Sequence, residues 1–317
     1  MAQPSRMSRR DIWIHLLLYP GHTLPTAAAP VLVGIGLAVH DHVLAALPAL
    51  LGFVASWLFH VGGVLTDNYE LLVRHPHTRE HPELTDALAD GTLTLAGLRW
   101  AILACFGLPA LAGPYLLQVG GLPVLGLAGI GIAASWLYAG GPFPFAKLGL
   151  AEPIFFLMFG IVAVAGTYYV QAACVLAALP HGPALQQLLP FNAVVLGLPV
   201  GALVTNVLII DDIRDRAFDA KKGWRTGAVR FGSNWSRTEF IGLAIFSYLI
   251  PFWFWLGLGF GACVLLPLLT LPWAVTVTRV VVTHDRREQL FPTTPKASAL
   301  ALAYAVLLAI GVAVSAY

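Results

Sequence analysis

Leu189 to Lys222 reads LPFNAVVLGLPVGALVTNVLIIDDIRDRAFDAKK. Its first part, residues 189–213, is apolar for long enough to cross a hydrocarbon core of about 30 Å as a helix of about 20 residues. Its second part switches abruptly to charge. Asp211, Asp215 and Asp219 follow one another at steps of four. On a helix each step turns about 40° past a full circle, so the three carboxylates form one slanted stripe over two turns. Like charges at that spacing repel, and such stripes are usually held by a cation. Mg²⁺ suits the arrangement, because it takes few carboxylates and completes its shell with water and phosphate oxygens. Basic residues come next: Arg214, Arg216, Lys221, Lys222, Arg225 and Arg230. Mg²⁺ with Lys and Arg is equipment for clamping a diphosphate and stabilising it as it leaves. The bland alternative is a solvated, charge-rich juxtamembrane loop.

The rest of the chain reads like the first part of this stretch. Of 317 residues, 58% are hydrophobic and only 11% charged, against roughly a quarter charged in soluble domains. Mean hydropathy is +0.78. Eight further apolar runs are read as spans, near 14–39, 44–72, 95–113, 117–139, 152–178, 238–257, 260–281 and 297–316. The expectation is an all-α polytopic membrane protein with nine transmembrane helices. It is read as a single membrane domain over 1–317, with a basic tail at 1–10. A net charge of +2 gives no reason to expect nucleic acid. Cys105, Cys174 and Cys263 stand singly in apolar surroundings and read as small core residues. No signal-peptide cleavage pattern is evident after the basic start.

Charge sets the expected orientation. With nine spans, all 18 Lys and Arg residues fall on the side of the N-terminus and of the links near 73–94, 140–151, 214–237 and 282–296, or at its membrane boundary. The set includes Arg9, Arg10, Arg79, Arg99, Arg237, Arg279, Arg286 and Lys296. The positive-inside rule assigns that side to the cytoplasm, and the expected location is an inner, cytoplasmic membrane of bacterial type. Of 16 acidic residues, only Asp41 lies on the opposite side. Since acids do not follow that rule, their clustering needs another cause.

A second acidic group, Asp67-Asn68-Tyr69-Glu70, closes the inner end of the second span, with Arg74 one turn on. Facing the Asp211–Asp219 stripe, it would complete a cage, although solvation of a helix end explains Asp67 and Glu70 equally well. His75, His77 and His81 nearby lack zinc-like spacing. Tyr138 to Pro144, YAGGPFP, makes a stiff bend where backbone approaches a ligand closely, and Lys147 follows as a donor for an anion. Tyr168 and Tyr169 read either as residues facing an allylic cation or as part of an outer aromatic belt.

Asp211 to Arg230, DDIRDRAFDAKKGWRTGAVR, resembles the second aspartate motif of the UbiA superfamily of intramembrane prenyltransferases, in particular its 1,4-dihydroxy-2-naphthoate prenyltransferase (MenA-like) branch. The segments YAGGPFPFAKLGLAE, FGIVAVAGTYYVQ, HTLPTAAAPVLVG (His22–Gly34) and ALADGTLTLAGLR (Ala87–Arg99) are similar to that branch in the same order. The resemblance implies nine helices around a central cavity, with both aspartate motifs at its cytoplasmic mouth. It implies Mg²⁺-dependent transfer of an isoprenoid from a polyprenyl diphosphate to an aromatic acceptor. By position, Asp67, Glu70, Asp215 and Asp219 are the catalytic carboxylates, and Asp211 joins them as metal ligands. Arg74, Lys147, Lys222 and Arg225 are the diphosphate-binding set, and Tyr138, Tyr168 and Tyr169 face the cation. The first motif departs from the pattern N-D-x-x-D: its positions are Thr66, Asp67 and Glu70, with Arg74 where a further acid is usual. Gly21–His22 replace the basic residue and proline expected before Thr-Leu-Pro. These departures keep open a terpene cyclase that acts on the diphosphate without an acceptor. A non-catalytic transporter or scaffold is the remaining alternative, although transporters gather their charges near the midplane.

Overall fold

The computed structural model describes residues 8–18, 23–78, 81–177 and 183–315. Arg79, the Gly21–His22 pair and residues 1–7 of the basic tail lie outside this set. The described chain is helical throughout, with no strand among the described residues. A short helix α1 (Arg9–Leu18) precedes α2 (Thr23–His40) and α3 (Ala46–Arg74). A short α4 (Pro82–Ala89) follows, then α5 (Leu95–Gly120), α6 (Pro123–Leu137) and α7 (Ala151–Leu176). Next come α8 (Leu185–Val195), α9 (Leu198–Lys222), α10 (Ser233–Gly257), α11 (Ala262–Thr283) and α12 (Arg287–Val314).

Six of these are long and apolar enough to cross a membrane, and the bent pair α8–α9, at 50°, makes a seventh. The helices α2 and α6 stand where two more spans are expected but are shorter. A helical segment thus occupies each of the nine expected places among the described residues, although only seven meet the length of a span. The chain is a multi-pass membrane protein.

Two boundaries differ from the sequence reading. The link expected near 114–116 is helical. Pro114 lies in the first turn of the helical segment after a 3₁₀ stretch, Leu108–Ala112, where its missing N–H removes no needed bond. The turn comes instead at Gly121, whose φ of 65° suits glycine. The first expected span is split, with α1 a separate element packed against α3 and α4.

Packing follows exposure to lipid. Half of the apolar window of α12 is buried, against 11% for α5, so α12 is central and α5 peripheral. Several polar side chains in the interior bond across neighbouring helices, which satisfies groups that lipid cannot. Tyr304 donates to the Ser247 carbonyl at 2.5 Å, and Tyr248 bonds Thr270 at 2.6 Å. Small residues let α7 and α9 approach closely: a Cβ on Gly201 would stand 2.7 Å from Gly160 Cα. Gly160 lies within a π-helical stretch of α7, Phe156–Val162, where the turn widens.

Candidate active site

One cavity of about 580 Å³ runs from a charged mouth into the helix bundle. Its mouth carries Asp67 and Asn68 from α3, then Asp211, Asp212, Arg214, Asp215, Asp219 and Lys222 from α9. Its deeper wall is apolar and aromatic, with Phe59, Phe106, Phe155 and Phe159 among the lining residues. The two acidic groups, far apart in sequence, therefore meet across one opening. Packing brings this about: α9 is buried along Pro199–Ile210 and α3 over Val61–Thr66, and each helix carries its acids just beyond that buried stretch.

The lysine Lys222 joins the two halves. Its Nζ lies 3.9 Å from Asp67 Oδ1 and 4.0 Å from Asp219 Oδ1. It also sits over the Trp224 ring, 3.4 Å from the centroid, and 5.1 Å from that of Phe218. Gly223, at φ 75°, ends α9 and turns the chain so that Trp224 folds back beneath the lysine. The Trp224–Arg225 turn is tied to the YAGGPFP bend, because Arg225 N donates to the Ala146 carbonyl at 2.8 Å. Tyr138 stacks between Phe155 and Trp224 at 5.6 and 6.0 Å. Tyr138 lines the cavity wall.

The other carboxylates of the stripe are engaged by cations of this chain. Arg214 bridges Asp211 and Asp215 at 2.5 Å each, and Thr294 donates to Asp211 at 2.6 Å. Arg287 stands 3.6 Å from Asp215 Oδ1. Asp212 is buried on the cavity side, and Glu152 accepts the Gly227 N–H at 2.6 Å.

The cavity gathers some of the expected residues and not others. Asp67, Asp211, Asp215, Asp219, Lys222 and Tyr138 line it. Glu70, Arg74 and Lys147 do not. They border a small adjoining cleft that shares Asp67, Lys222 and Trp224 with the main mouth. Glu70 is held by Arg74 at 2.7 Å, one turn along α3, so the cation that replaces an acid neutralises its neighbour. Arg225 is exposed and lines neither space; its backbone, rather than its guanidinium, is what the fold uses. Tyr168 and Tyr169 do not line the cavity. Tyr168 donates to Asp41 at 2.8 Å and Tyr169 to the Gly120 carbonyl at 2.5 Å, both at the end of the bundle away from the carboxylates. Both are buried, so they are internal packing residues rather than cation-facing or lipid-facing aromatics.

Several residues at or beside the cavity were not singled out from sequence. Phe291, which lines it, and Arg287 and Thr294, which contact Asp215 and Asp211, come from the last helix, where nothing in their order marks a site. His60 carried a usable signal, since an ionisable group within a span is functional by default.

Among the described residues no three His, Cys, Asp or Glu side chains are grouped closely enough to hold a metal by themselves. The donor set nevertheless fits Mg²⁺, which needs only one or two carboxylates beside water and phosphate. Asp67 Oδ1 and Asp215 Oδ1 are buried oxygens without a hydrogen-bond donor, each facing only a more distant cation. Unmet acceptors of this kind in an acidic mouth suit a cation.

Comparison with known proteins agrees with this geometry. The model of the UbiA prenyltransferase family matches residues 27–300. A 1,4-dihydroxy-2-naphthoate octaprenyltransferase of Mycobacterium leprae (strain TN) is 31% identical over 230 residues, 70% of this chain and 71% of that protein. The protein of the same name from Escherichia coli (strain K12) is 28% identical over 235 residues, covering 72% and 70%. An apo UbiA homolog from Aeropyrum pernix K1 shares the fold at a TM-score of 0.63 and 16% identity, over 91% of this chain and 97% of that one. A UbiA homolog from Archaeoglobus fulgidus bound to DMAPP and Mg²⁺ does so at 0.59 and 16%, over 93% and 99%. The chain belongs to the UbiA prenyltransferase family and is a membrane-embedded prenyltransferase.

Proposed function

We propose that the protein transfers an isoprenoid chain from an allylic polyprenyl diphosphate to a 1,4-dihydroxy-2-naphthoate-like acceptor, releasing diphosphate, in the making of a menaquinone-type quinone. The observation that carries this reading is the single cavity that joins Asp67, Asp219 and Lys222 at its mouth to an aromatic interior. The names of the relatives support the acceptor, and the DMAPP and Mg²⁺ of the archaeal homolog support the donor and the ion. The complete separation of basic residues onto one side supports a cytoplasmic mouth in an inner membrane.

Asp67, Asp215 and Asp219 would hold Mg²⁺, with Asp211 and Glu70 at the margin beside their arginines. When bound, Mg²⁺ neutralises the diphosphate and makes it a better leaving group. Lys222 exchanges its carboxylate partners for phosphate oxygens, and Lys147 and Arg74 approach from the adjoining cleft. The C1–O bond breaks with its electron pair leaving on the diphosphate. Tyr138, Phe155 and Phe159 present ring faces to the allylic cation and keep water out. A ring carbon of the acceptor then supplies the pair for the new C–C bond. The ring regains aromaticity by losing that carbon's substituent, either a proton or a carboxylate as CO₂.

The test is purified protein in nanodiscs with geranylgeranyl diphosphate, 1,4-dihydroxy-2-naphthoate and Mg²⁺. A prenylated naphthoquinol is expected. Asp67→Asn and Asp219→Asn are each expected to lower the rate about 100-fold or more. Diphosphate release with a cyclic hydrocarbon and no prenylated aromatic would replace this reading with that of a cyclase.

A further inference from the structure

The residues Thr26 and His60 form a polar pair in the apolar depth of the cavity. Thr26, from α2, is 1% exposed. Its Oγ1 lies 3.1 Å from His60 Nε2, from α3. Both line the cavity. The imidazole also meets the Phe159 ring edge-on, with centroids 5.2 Å apart and planes at 87°. Phe159 in turn packs on Phe155 at 5.0 Å. A histidine mid-way along a spanning helix is costly in lipid surroundings.

Depth gives the pair a role. His60 and Asp67 are seven residues apart on α3, a rise of about 10.5 Å and a turn of about 20° short of two full circles. The histidine therefore stands directly below the carboxylate on the same wall. A diphosphate held at Asp67 and Asp219 hangs its allylic carbon one ester oxygen below. The attacking ring carbon must come within about 3–3.5 Å of that carbon. A bicyclic ring so placed carries its hydroxyl groups down to the level of His60, with Phe159 against its edge.

We propose that Thr26 and His60 hydrogen-bond a ring hydroxyl of the aromatic acceptor and thereby fix which ring carbon faces the allylic carbon. This rests on the prenyl transfer proposed above and assigns its acceptor subsite. Oriented by Thr26, the imidazole stops the ring from rotating. The pair is thus a positioning and specificity element rather than part of the diphosphate machinery.

Thr26→Val, His60→Leu and His60→Gln separate these roles. The acceptor KM is expected to rise about tenfold in His60→Leu and Thr26→Val, the value of one hydrogen bond. The KM for geranylgeranyl diphosphate should stay within about twofold, and His60→Gln should recover part of the loss. With wild type, a 1-methoxy or 4-methoxy analogue of the naphthoate should lose as much as His60→Leu does with the parent compound. Thr26→Val keeps shape and guards against misfolding of the histidine variants. Equal changes in donor and acceptor KM, or none, would overturn the proposal while leaving prenyl transfer intact. Should wild type transfer nothing, the proposed function fails instead. Fluorescence titration of the naphthoate against wild type and Thr26→Val then still decides the pair: a tenfold weaker Kd sustains it, and equal Kd refutes it.

Discussion

Replacing Lys222 with methionine removes the charge between Asp67 and Asp219 but keeps a stem that packs on Trp224 and Phe218. The ammonium stands 3.9 and 4.0 Å from the two carboxylates. At an effective dielectric of about 20, each contact is worth about 4 kcal/mol before desolvation. Desolvation offsets most of this, since the lysine is 10% exposed and Asp219 6%. Asp67, at 34%, is also screened by water and contributes less. The stacking over Trp224 adds about 1–2 kcal/mol. The net loss on substitution is about 3 kcal/mol, within the range for stranding a partner of a buried pair. In a chain of this size that lowers the melting temperature by on the order of 5 °C. The direction is testable by following tryptophan fluorescence on heating, in detergent with a chelator. Adding Mg²⁺ gives both carboxylates another counter-charge, so the deficit against wild type should shrink to less than half. A variant that melts with wild type in chelator would refute the bridging role. A deficit that Mg²⁺ leaves unchanged would refute the idea that lysine and metal answer the same two carboxylates.

Three further outcomes are expected. Gly201→Val drives a side chain into Gly160 Cα at 2.7 Å and the Phe156 carbonyl at 2.8 Å; a loss of several degrees in melting temperature and of folded yield should follow, read by size-exclusion chromatography. Tyr168→Phe, which removes a hydroxyl far from the mouth, should leave both substrate KM values and kcat within about twofold in steady-state assays. Glu83 ties α4 to α1: burial works to raise its carboxyl, but hydrogen bonds from His15 and His81 outweigh it and hold the group well below its ordinary value of 4.5. Because the folded value is the lower one, this stabilisation is present above about pH 4.5 and is lost as pH falls below it. The gap in melting temperature between wild type and Glu83→Gln should therefore be constant from pH 7 to 5 and close below 4.5.

What the sequence revealed depended on the range of the interaction. Span positions rest on runs of apolar residues, so the places of the helices were readable. The second carboxylate group was readable too, because Asp211, Asp215 and Asp219 lie on one helix at fixed spacing. The partners of those carboxylates were not. Arg287 and Thr294 reach Asp215 and Asp211 only through the packing of α12 on α9. Spacing could not tell Tyr168 and Tyr169 from cavity residues, since Thr167 and Val170 beside them do line it. The hydrogen bond to Asp41 decides the matter. Arg225 misled for a similar reason: a basic residue in a charged motif is presumed to meet the anion, yet here the peptide group carries the contact. Thr26 and His60 come from separate helices, and only the folded chain unites them.

The wide turn of α7 at Phe156–Val162 has a consequence for how this wall can evolve. Each widened turn takes in one residue beyond an α-helix, and one residue corresponds to about 100° of rotation. Deleting a single residue there would let the segment tighten into ordinary helix while both ends kept their hydrogen bonding. Phe155 at one end would then swing relative to Thr167 at the other, and the cavity would present a different set of side chains. A one-codon loss is thus a route to a re-aimed cavity wall.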